Sequence, residues 1–113
     1  MIVSFDKGIE CLADEILESP KPFLASVSGP IPALTGSFIR ELESELRKFE
    51  LRGEISDIRT PPKKCPVMSY FIVKADAKLE LPEADEYFMA HFNKKAARHV
   101  YVNEDESIAI LQH

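Results

Sequence analysis

The chain predicts an α+β domain built on a ferredoxin-like split β-α-β core, and three observations lead there. Apolar residues recur at helical spacing in three segments and cluster or alternate in strand-length runs elsewhere. Proline and glycine punctuate the boundaries between these segments. From residue 22 onward the order is β-α-β-β-α-β, which suits an antiparallel sheet with two helices on one face. A helix precedes this core and an extra strand follows it. The expected organisation is a single domain over 1–113, with 1–21 an N-terminal helical extension and 22–113 the core.

The first helix spans Gly8 to Glu18, where Ile9, Leu12, Ala13, Ile16 and Leu17 form one apolar face and Ser19-Pro20 ends the pattern. Phe23 to Ser28 reads as a strand bounded by Pro22 and Gly29-Pro30. After the loop, Thr35 or Ser37 is expected to cap a helix with Phe38, Ile39, Leu42, Leu46 and Phe49 on its apolar face and Gly53 as its stop. Glu54 to Thr60 is the next strand, ended by Pro61-Pro62. Val67 to about Leu81 gives the strongest strand signal. Pro82, followed by Glu83, Asp85 and Glu86, opens a helix closed by Lys94, Lys95, Arg98 and His99. Val100 to Val102 and Ser107 to Leu111 read as a terminal hairpin around Asn103-Glu104-Asp105-Glu106.

Composition narrows the function classes. With 45% hydrophobic residues, a chain of 113 residues can bury a core without staples. No apolar run approaches the roughly 20 residues of a membrane helix. The N-terminus lacks a basic region followed by an apolar one, and there are only two cysteines, so a reducing, cytoplasmic setting is expected. A net charge of −5 argues against nucleic acid as a general partner.

The antiparallel topology would place loops 29–36 and 60–66 at one end of the sheet and return the last helix to that same end. Six of the 14 basic residues, Arg59, Lys63, Lys64, Lys94, Lys95 and Arg98, would then form a basic pole. Glu54, Glu80, Glu83, Asp85, Glu86, Glu104, Asp105 and Glu106 would gather opposite. Helix dipoles favour the same distribution without any ligand.

Loop 29–36, with Gly29, Thr35, Gly36 and Ser37 ahead of a helix, offers N–H groups and hydroxyls that could hold phosphate or carboxylate. The phosphate-loop pattern fails, because no lysine follows Gly36. Lys63, Lys64, Cys65, Arg98 and His99 complete the candidate ligand-binding set. Cys65 with His99 lacks a third orienting residue, and no spacing implies a metal or a cofactor. Cys11 reads as core, and His91 as a structural histidine on a helix flank. The expectation is a non-catalytic interaction or regulatory module, pairing with a protein partner or with itself through a free sheet edge. A small anionic-ligand binder is the alternative, and a thiol enzyme using Cys65 the third reading.

Overall fold

A computed structural model describes residues 1–63, 68–77 and 79–111, with only the backbone described at Leu81. Lys64 and Cys65 of the candidate set lie outside the described residues. The described residues form three helices and a six-stranded mixed sheet. In chain order the elements are β1 (Ile2–Val3), α1 (Phe5–Glu18), β2 (Phe23–Ser28), α2 (Pro32–Arg47), β3 (Gly53–Asp57), β4 (Tyr70–Ala75), α3 (Leu81–Phe92), β5 (Arg98–Val102) and β6 (Ile108–Leu111). Strand order across the sheet is β1-β6-β5-β2-β4-β3.

The expected antiparallel core is corrected here. β4 does lie between β2 and β3, but it runs parallel to both, and β5 is also parallel to β2. Only β6 is antiparallel to its neighbours β5 and β1. Residues 58–69 therefore do not close a hairpin but return the chain to the starting end of the sheet. Parallel neighbours need a crossover of about a dozen residues or more, and this segment has the length for one.

The direction of β4 also decides the layers. The β2-α2-β3 crossover moves toward one edge of the sheet, and the β4-α3-β5 crossover moves toward the other. Parallel crossovers are right-handed, so the two helices must lie on opposite faces. Observed packing agrees. Leu42 and Leu46 of α2, together with α1, pack on Phe23, Ala25, Val27, Tyr70, Ile72, Val100 and Ile108. Tyr87 and Phe88 of α3 pack on Leu24, Phe71 and Val73, which point the other way. Two helices thus cover one face, whereas among the described residues α3, with Ile58 and Met68, covers only part of the second.

Several boundaries shift for local reasons. α1 starts at Phe5, because the Ser4 hydroxyl accepts the Lys7 N–H and caps it. α2 starts at Pro32, earlier than the expected Thr35 or Ser37 cap, with no side-chain cap at Ile31. Proline at the first helical position costs no hydrogen bond, so it suffices to begin the helix. α2 ends at Arg47, and Glu50 at φ 60° makes the reversal that Gly53 was expected to make. α3 stops at Asn93, which takes the left-handed conformation at φ 54°. Arg98 and His99 consequently belong to β5 and not to the helix end.

At the end of β3 the Asp57 carboxylate accepts the Arg59 backbone N–H at 2.8 Å and its guanidinium at 2.9 and 3.1 Å. These bonds hold the carboxyl at about 2, below its usual 3.8. A carboxylate with a depressed folded pKa contributes its stability above the unfolded value and loses it as pH falls through the folded one. The pair is largely exposed, so solvent screening keeps its contribution small. Asp57→Asn should shrink the stability difference between pH 5 and pH 2 measured by urea unfolding. An unchanged acid limb would contradict this.

Candidate functional site

Because α3 covers only part of its face, the other part is left as a cleft of about 380 Å³ above β2, β5 and β6. Ser26 and Ser28 of β2, His99 and Tyr101 of β5, and Ala109 and Leu111 of β6 form its floor, with Leu79 and Glu80 of the β4–α3 loop at the side. The period of two along each strand makes this floor: Ala25, Val27, Val100 and Val102 face the helices α1 and α2, and the residues between them face the cleft. The cleft lies toward the carboxyl ends of the parallel strands. The β4–α3 loop reaches it from the carboxyl end of β4 and closes it on that side.

A buried polar group sits in this floor. Ser26 and His99 are 2% and 5% exposed, and Ser26 Oγ lies 2.7 Å from His99 Nδ1. The two residues are laterally paired on adjacent parallel strands, which fixes this approach. On the other side of the imidazole, Asp85 Oδ1 of α3 stands 3.7 Å from Nε2. The Leu79 N–H donates to Ser28 Oγ at 3.3 Å and ties the β4–α3 loop to β2.

The residues expected to form an anion site are not brought together. The connection after β2 is only Gly29-Pro30-Ile31, and Thr35, Gly36 and Ser37 lie within α2. Thr35 is fully buried, with its hydroxyl on the Ile31 carbonyl at 3.3 Å. Gly29 has a packing reason: a Cβ there would meet the Val102 carbonyl oxygen at 2.7 Å and Thr35 Oγ1 at 2.8 Å. Ser37 shares a shallow depression with Asp105 and Glu106, an acidic neighbourhood.

The basic pole divides between the two ends for the same topological reason. With β4 reversed, α3 starts near the carboxyl end of β2 and runs back, so Lys94 donates to the Pro22 carbonyl at 3.1 Å, at the opposite end from Gly29. Arg98 pairs with Glu15 at the end of α1, its Nε–H donating at 2.9 Å. Arg59 and Lys63 follow β3 on the far side of β4, with Arg59 engaged by Asp57 and Lys63 exposed.

Of the described candidate residues, His99 alone belongs to the cleft. Ser26, Ser28, Asp85 and Tyr101 were missed. The alternation Ala25-Ser26-Val27-Ser28 was a readable signal that one face of this strand is polar, but its partner strand was not identifiable without the fold. Among the described residues, no group of three His, Cys, Asp or Glu side chains could hold a metal ion, and no helix is long and apolar enough to cross a membrane. No protein-family model, curated protein or solved structure matches this chain.

Proposed function

We propose that this chain is a binding domain for a small, largely apolar molecule carrying a hydrogen-bonding group, seated in the cleft above β2, β5 and β6. The observation that supports it is the buried Ser26–His99 pair on the floor of a cleft whose other walls include Leu79, Ala109 and Leu111. Ligand sites are commonly of this kind, mostly apolar with a few fixed polar groups that set orientation. Glu80 at the side and the acidic hairpin beyond α2 make an anionic ligand the less favoured choice.

Self-association through a sheet edge has less in its favour. One edge strand, β1, has two residues, and the other, β3, carries Glu54 and Asp57. Short strands and edge charges both discourage pairing.

A fragment library screened by nuclear magnetic resonance tests the reading. Binders should shift the amides of Leu79, Tyr101 and Ala109, and Ala109→Trp, which fills the cleft from β6, should abolish those shifts while the chain stays folded. Saturation at about 100 times Kd should add about 2.7 kcal/mol of stability. Shifts confined to other surfaces, or binding that survives Ala109→Trp, would overturn the proposal.

A further inference from the structure

The alignment of Ser26, His99 and Asp85 goes beyond what binding requires. We propose that it is an acyl-transfer relay, with Ser26 the nucleophile toward a small carboxylic ester held in the cleft; this rests on the cleft being a ligand site. Three different elements, β2, β5 and α3, bring the Ser26 hydroxyl to 2.7 Å from Nδ1 of the imidazole and the Asp85 carboxylate to 3.7 Å from its Nε2. At 3.7 Å from Nε2, Asp85 Oδ1 stands beyond hydrogen-bond length and acts on the imidazole through its charge, which favours a proton on that nitrogen. Nδ1 then keeps its lone pair, and the 2.7 Å contact is a bond donated by the Ser26 hydroxyl. That polarity is what a serine nucleophile needs.

In the step itself, Ser26 Oγ attacks the ester carbonyl carbon as its proton passes to His99 Nδ1. The tetrahedral species collapses, the C–O bond to the alcohol breaks, and the alcohol leaves with the proton from Nδ1. Water then gives a proton to Nδ1 and attacks the acyl carbon, releasing the carboxylic acid and restoring the Ser26 hydroxyl. Ester and water become acid and alcohol, with no other reactant. Asp85 is a positioning residue that acts through the imidazole.

The developing oxyanion needs donors. β2 is paired with β4 and β5, so its N–H groups serve the sheet. Side-chain hydroxyls of Ser28 and Tyr101 line the same cleft and supply the donors instead. Ser28 accepts from Leu79, and its own proton is not used in that bond. Rotatable hydroxyls are less preorganised than backbone amides, so both acylation and deacylation should be slow, and acylation outruns deacylation only with an ester whose leaving group is good.

The intact protein is treated with a fluorophosphonate probe and, separately, with p-nitrophenyl acetate. A single adduct on Ser26 is expected, together with a burst of about one equivalent of nitrophenol followed by slow release. Ser26→Ala should lose the adduct, and His99→Gln should label about 100-fold more slowly or worse. Asp85→Asn should slow labelling and move the imidazole nitrogen shifts of His99 away from the Nε2–H tautomer; this variant decides if His99→Gln fails to fold. An unmodified Ser26 in the wild-type chain overturns the relay, as does labelling undiminished in the folded His99 or Asp85 variant. Fragment shifts at Leu79 and Tyr101 without an adduct would remove the relay and leave the binding reading standing. Absence of both would remove both, whereas an adduct blocked by Ala109→Trp would support both.

Discussion

Phe71→Ala is expected to cost about 3–5 kcal/mol, the range for removing a large aromatic from a closed core. Phe71, the second residue of β4, is fully buried. Its ring meets Phe92 at 4.8 Å and Tyr87 and Phe88 at 6.3 Å, so three residues of α3 converge on this one side chain. The second face of the sheet has a single helix, and no neighbouring helix can move in to fill the space. The loss should appear in urea unfolding and as a fall in Tm of more than about 10 °C. It should also reach the cleft, because α3 carries Asp85 and its preceding loop carries Leu79. A cost below about 1 kcal/mol would mean that α3 is not held there.

Gly53→Ala should follow, at about 2–3 kcal/mol. Gly53 opens β3 opposite Tyr70, and an added Cβ would stand 2.3 Å from the Tyr70 carbonyl oxygen and 2.4 Å from its ring. The φ angle of Gly53 is not positive, so the cost is steric and not conformational. The obstacle is backbone, which cannot rotate away, so the start of β3 must lift from β4. Hydrogen exchange should show the amides of β3 losing protection while those of β2 and β5 keep theirs. Retained protection at β3 with unchanged stability would contradict the close approach.

These two residues illustrate what periodicity can and cannot convey. Phe71 was legible as part of a strong strand, and Gly53 as a boundary between helix and strand. The actual role of Gly53 depends on which strand lies alongside, which no local pattern encodes. The same holds for the site. Ser26 and Ser28 alternate visibly with Ala25 and Val27, yet His99 lies 73 residues further along and Asp85 is on another element. The expected grouping of the anion-site residues rested on an end-to-end placement that depended on the direction of β4, so its described members lie apart.

By itself the sequence determined the elements: the amphipathic faces of α1 and α2, the buried strand β2, the start of α3 at a proline, and the terminal hairpin. Those depend on interactions within a few residues, where hydrophobic spacing, caps and turns act directly. Tertiary structure alone decided that residues 58–69 cross over and do not turn back. A proline-rich connection of that length permits either path, and the choice is made by which arrangement buries Tyr87, Phe88 and Phe92 against Phe71. From that one choice follow the parallel sheet, the helices on opposite faces, and the half-covered face where Ser26, His99 and Asp85 meet.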